Sequence, residues 1–185
     1  MNLDLSHAQQ KVQVVDFASM LRSGGHFDVE HWRAKKSGSL RLLDVTRERN
    51  LVVDEGLQYA LGVSLAATSK ISTWYVGIFE TTYTPVAGDD LTALLGSATE
   101  CTAYDEANRP TWSGVLGTLT ITNSAARADF TINATKTIYG AWLSSIQAKS
   151  TGGGTLWAAA EFASSKAVVA TDVLRVRYDC AVAAA

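Results

Sequence analysis

The stretch Thr73-Trp74-Tyr75-Val76-Gly77-Ile78-Phe79 sets the character of this chain. Side chains of a strand point alternately to opposite faces, so Trp74 and Val76 fall on one side and Tyr75 and Gly77 on the other. Further short segments of the same kind follow at residues 117–122, 128–133, 137–143, 156–162 and 172–178, separated by small polar turns. Repeated short alternating segments with turn signals between them predict a mainly β chain, closing as a jelly-roll-like antiparallel β-sandwich. The rings of Trp74, Phe79, Phe130, Tyr139, Trp142 and Phe162 are expected between the two sheets, where large side chains fill the gap.

On the N-terminal side of this stretch, Asp54 is placed to cap a short helix whose apolar face is Leu57, Tyr59, Ala60 and Leu61. Ala66-Ala67-Thr68-Ser69 ends it. Earlier still, Phe27, Val29 and His31 alternate with Asp28 and Glu30, and Leu40 and Leu42 flank Arg41. With Lys35-Lys36-Ser37-Gly38-Ser39 between them, these runs predict a β-hairpin. Residues 12–21 have helical spacing in Val14, Val15, Ala18 and Leu21, and Ser23-Gly24-Gly25 breaks it. The expected division is an attachment arm and hairpin over 1–49 and a sandwich domain over 50–185. Two irregular connections stand out among the strands. One runs from Glu80 to a helical turn at 91–95 capped by Asp90, and the other, 147–154, carries Gly152-Gly153-Gly154 as an exposed turn.

The chain has 185 residues, 47% hydrophobic and 18% charged, enough to bury one sizeable core. A net charge of −2 is too small to imply nucleic acid or an anionic membrane as partner. The charge is uneven, with eight Lys/Arg against six Asp/Glu in residues 1–50 and eight against twelve thereafter. A basic arm on an acidic surface fits that asymmetry. Residues 1–10 are polar, unlike a secretory leader, and no apolar run approaches the ~18 residues of a membrane span. Cys101 and Cys180 lack CxxC spacing and are expected as two separate buried thiols.

Chemistry-bearing patterns are weak. His26, Asp28 and Glu30 share one strand face, but that spacing is generic, and a solvated strand face is the expected reading over a metal site. Asp89-Asp90 lacks the alternating oxygen ligands of a calcium loop. All three histidines, His7, His26 and His31, precede the sandwich, and no Gly-x-Ser-x-Gly elbow exists. Glu100, Asp105 and Glu106 are close in sequence, yet a glycosidase needs two acids across a cleft. The chain is therefore expected to be non-enzymatic, with no catalytic, metal or cofactor residues. Trp32 and Phe27 are different, because a small hairpin cannot bury two large rings alone. Interface candidates are Phe27 and Trp32 as anchors, Arg33, Arg47 and Arg49 as ion-pair partners, and Tyr83 in the long connection.

Several runs together resemble a group of tailed-bacteriophage virion proteins: Asn50-Leu51-Val52-Val53-Asp54-Glu55-Gly56-Leu57, Trp74-Tyr75-Val76-Gly77-Ile78-Phe79, Tyr83-Thr84-Pro85, Ala98-Thr99-Glu100-Cys101-Thr102-Ala103-Tyr104, Arg109-Pro110-Thr111-Trp112 and Ile138-Tyr139-Gly140-Ala141-Trp142-Leu143. The likeness covers about residues 26–180, and its motifs are packing and turn motifs. It implies a sandwich mounted on the virion by its N-terminal arm and assembled in the host bacterial cytoplasm. The implied role is capsid cement or decoration, with the phage major capsid protein as partner and self-association into a homo-oligomer. A tail or fibre component, bound to tail proteins, is the nearest alternative, and a host-glycan-binding sandwich module is a further one.

Overall fold

The two alternating runs of the N-terminal hairpin pair with each other in one sheet of the structure. The computed structural model describes residues 21–184, and the side chains of 24–182. In chain order the elements are β1 (Leu21–Ala34), β2 (Leu40–Arg49), β3 (Leu51–Val52), α1 (Asp54–Leu65), β4 (Trp74–Phe79), α2 (Leu91–Ser97), β5 (Thr111–Trp112) and β6 (Val115–Leu116). They continue with β7 (Thr120–Thr122), β8 (Ala128–Thr131), β9 (Lys136–Ser144), β10 (Leu156–Val168) and β11 (Val173–Ala184). All strand pairs are antiparallel. One sheet runs β2-β1-β11-β7-β6 with β8 also on β11, and the other runs β3-β10-β9-β4-β5. The fold is the β-sandwich that the alternating segments predict.

The hairpin forms as expected, with His26 opposite Arg49 and Ala34 opposite Leu40. It does not stand apart as an arm. β1 also pairs with β11 from Leu21 opposite Ala184 to Trp32 opposite Val173, so it is an interior strand of the first sheet. That ladder overrides the break signalled by Ser23-Gly24-Gly25, which lies within β1. Residues 21–49 thus belong to the sandwich, and a boundary at 49/50 does not separate two bodies. Apart from Leu21, the expected helix over 12–21 lies outside the described residues.

Inward side chains of the first sheet, Phe27, Val29, Phe130, Leu174, Val176 and Tyr178, meet Val76, Ile78, Ala141, Leu143, Ala158 and Phe162 of the second. Tyr178 is the hub, 4.6 Å from the Phe27 ring. Its hydroxyl accepts from Trp157 Nε1 at 2.9 Å and Asn50 Nδ2 at 3.0 Å, which satisfies a buried polar atom. Burial pushes its pKa well above the usual range.

A second, smaller core covers the outer face of the second sheet. There Phe79, Trp142 and Ala159 pack beneath Leu91 and Leu94 of α2, with Tyr139 against them. Phe79, Tyr139 and Trp142 are therefore not between the sheets as expected, whereas Phe130 and Phe162 are. β4 and β9 are interior strands covered on both faces, so both parities of their alternation are buried. Phe79 and Trp142 stack at 6.2 Å and 14°. Gly77 and Gly140 permit this, since a Cβ there would lie 2.1 Å from the Trp142 ring and 2.0 Å from the Phe79 ring respectively.

The helices follow local rules with one exception. Asp90 caps α2, its carboxylate accepting from Ala93 N at 2.7 Å. Asp54 is instead the first residue of α1, after Val53 at the cap position, where an acidic group still favours the positive helix end. Neighbouring Glu55 accepts from Leu156 N at 2.8 Å and ties the helix to β10. Only Gly56 of α1 is buried, and Leu57, Leu61 and Leu65 remain exposed.

Candidate functional site

The outer face of the first sheet carries the side chains left over from the core. Gly25, Phe27, Val29 and His31 of β1 are buried, so His26, Asp28, Glu30 and Trp32 face outward. By register, Arg49, His26, Asp179 and Thr122 form one row across β2, β1, β11 and β7. Arg47, Asp28 and Arg177 form the next. On the other side of the first row lie Gly24, Ala181 and Thr120, small residues that leave the floor low. The result is an open groove of about 970 Å³, walled also by Leu51, Leu57 and Val182.

Ion pairs knit part of this face together. Arg177 Nη2 donates to Asp179 at 2.6 Å and lies 2.8 Å from Asp28, while Arg47 Nε is 3.4 Å from the other Asp28 oxygen. Asp179 also accepts from the Thr122 hydroxyl. Farther along, Glu30 pairs with Arg127 and accepts from Trp32 Nε1 at 2.8 Å, and Arg175 lies over the Trp32 ring at 5.4 Å. Burial raises the Glu30 pKa, but the Arg127 and Trp32 donors outweigh it and hold the carboxyl below its ordinary value. No ion pair engages Arg49 among the described residues, and its side chain is exposed.

The six interface candidates separate. Arg47 and Arg49 meet in the groove, and Trp32 lies half-buried on the same face beyond it. Phe27 is a core residue with no exposed surface, so it cannot anchor a partner. Arg33 is committed to Asp172 through Nε at 2.8 Å and Nη2 at 2.7 Å. Tyr83 packs against the second core, and its hydroxyl donates to both oxygens of Asp89, at 2.8 and 2.9 Å. Gly24, Thr120, Thr122, Arg177 and Asp179 were not singled out by sequence reasoning. Alternation does place Arg175, Arg177 and Asp179 on one face of β11, but which strand flanks that face has no local signal.

Of the three acids weighed for catalysis, Glu100 and Glu106 have structural partners and Asp105 is exposed. Buried Arg109 donates Nε and Nη2 to Glu100, both at 2.8 Å, and reaches the Ile146 and Thr151 carbonyls at 3.1 Å. Its guanidinium lies 5.4 Å from the Trp142 ring, so the glycine-rich turn is fastened to the second core. Glu106 accepts from Thr131 N at 3.1 Å. Asp28 and Glu30 share a face with His26 but are spent on arginines, and no group of three His, Cys, Asp or Glu among the described residues is arranged to hold a metal. Cys101 and Cys180 are buried and not joined by a disulfide, and burial pushes the Cys101 thiol up to about 11. Compared with protein-family models, curated proteins and solved structures, the chain matches none of them significantly.

Proposed function

We propose that this chain is a non-enzymatic structural protein of a tailed-phage virion, which decorates the head and stabilises it by binding the major capsid protein. The observation that carries this reading is an uncharged apolar edge. Val115, Leu116, Leu119 and Val182 are 61%, 78%, 58% and 38% exposed, and they lie along the β6–β7 hairpin and the end of β11 that hydrogen-bonds to it. Sheet edges open to solvent are ordinarily blunted by charge, and residues 115–122 carry none. An apolar edge of this kind is satisfied by burial against another protein. The resemblance to phage virion proteins is what favours a virion protein, and under this reading the major capsid protein, as that partner.

Purified protein added to phage heads that lack it should bind in proportion to the number of shell subunits, and Leu116→Asp with Leu119→Asp should weaken binding by about tenfold or more. Co-sedimentation quantifies both. A handful of copies per particle, or binding to isolated tails alone, overturns the head assignment in favour of a tail component.

A further inference from the structure

The groove on the outer face of the first sheet has its own unbalanced chemistry. Arg177 and Thr122 occupy Asp179, and Arg177 is closer to Asp28 than Arg47 is. The guanidinium groups of Arg47 and Arg49 therefore keep most of their donors for something else. Beside them, Leu51, Leu57 and Val182 offer apolar surface, 36%, 37% and 38% exposed, around the low floor at Gly24. At about 970 Å³ the space is at the upper end of the range for a ligand site.

We propose that this groove seats an extended acidic polypeptide segment, its carboxylates paired with Arg47 and Arg49 and its apolar side chains laid on Leu51, Leu57 and Val182. Guanidinium binds carboxylate in a two-pronged geometry that a single ammonium cannot match, so two neighbouring arginines select an acidic ligand. Among the described residues no Trp, Tyr or Phe side chain lines the groove, which removes the usual stacking platform for a sugar ring and favours a peptide. The chain's own residues 1–20, with Asp4 and Asp16 against Lys11, are nearly neutral and do not supply the complementary charge. The inference rests on the structural-protein reading only for which protein contributes the segment; the chemistry of the site stands apart from it.

The test uses the full chain and a synthetic hexapeptide, Glu-Leu-Glu-Gly-Glu-Leu, with its lysine counterpart and polygalacturonate as controls. Amide signals of Gly24, Arg49, Thr120 and Thr122 should shift on titration with the acidic peptide, less so at raised salt, and not with the lysine peptide. Arg47→Gln with Arg49→Glu should weaken binding about tenfold or more in a protein that still melts cooperatively. Should that pair disturb folding, Arg49→Gln alone removes an exposed group that no ion pair engages among the described residues and should still weaken binding severalfold. Shifts centred on the Lys35-Lys36 turn, or an unchanged affinity in a folded variant, overturn the site. Equal binding of polygalacturonate at the same signals overturns the choice of a polypeptide. Peptide binding without attachment to heads would leave the groove standing and remove the capsid reading, and the reverse result would do the opposite.

Discussion

Asp172 illustrates what one residue contributes to this fold. It is fully buried and accepts from Arg33 twice, at 2.7 and 2.8 Å, and from Val169 N at 3.0 Å, with His31 Nε2 2.8 Å away. Burial alone would raise its pKa, but the Arg33 and His31 hydrogen bonds prevail and hold it at about 2. Because the folded value lies below the ordinary 3.8, the unfolded chain takes up its proton first as pH falls. The resulting stabilisation is complete above about pH 4 and is lost as pH falls toward about 2. Asp172→Asn should lower stability at neutral pH by roughly 3 kcal/mol, since it leaves a charged partner without its counter-ion. In urea melts against pH, the variant should also lose part of the acid dependence; an unchanged acid limb would show that other carboxylates control it. The residue pair was not legible beforehand, because His31 and Asp172 meet only through the β1–β11 ladder.

At the level of elements, β4 and β9 show how alternation can be read correctly and still mislead about layers. The strand positions of Trp74, Val76, Phe79 and Trp142 were legible from period-two patterning. That pattern distinguishes two faces without saying what covers each one. α2 and the connection before it cover the outer face, so rings on both parities find a core. Gly140 is the tightest consequence, for a Cβ there would lie 2.0 Å from the Phe79 ring and 2.3 Å from the Ala160 carbonyl oxygen. Gly140→Ala should cost roughly 1–3 kcal/mol by overpacking, measurable by denaturant melts, with a change in near-ultraviolet circular dichroism as Trp142 moves. A neutral result would mean that β9 and β10 separate easily at this point.

For the whole molecule, the decisive feature is that both ends of the described chain lie in one sheet. β1 brings Phe27, Val29 and His31 to the buried side and stands between β2 and β11. Removing residues 1–49 would take away an interior strand and its neighbour and uncover Tyr178 and Val176. The truncated chain should show no cooperative thermal transition by far-ultraviolet circular dichroism; a sharp transition would mean that the remaining strands close a sandwich without β1 and β2.

The sequence by itself determined the β class, the hairpin with its turn at 35–39 and the Asp90 cap of α2. Each of these depends on residues a few positions apart, where alternation, turn preference and capping act directly. Tertiary structure decided that β1 lies beside β11, that the second sheet is covered on both faces, and that Arg47 and Arg49 meet Arg177 and Asp179 around one groove. Strand neighbours far apart in sequence are selected by the burial of whole faces and by ladder register. Neither leaves a mark in any short window of the chain. For the same reason Phe27, read as an exposed anchor in an isolated hairpin, is a core residue once β11 lies beside it.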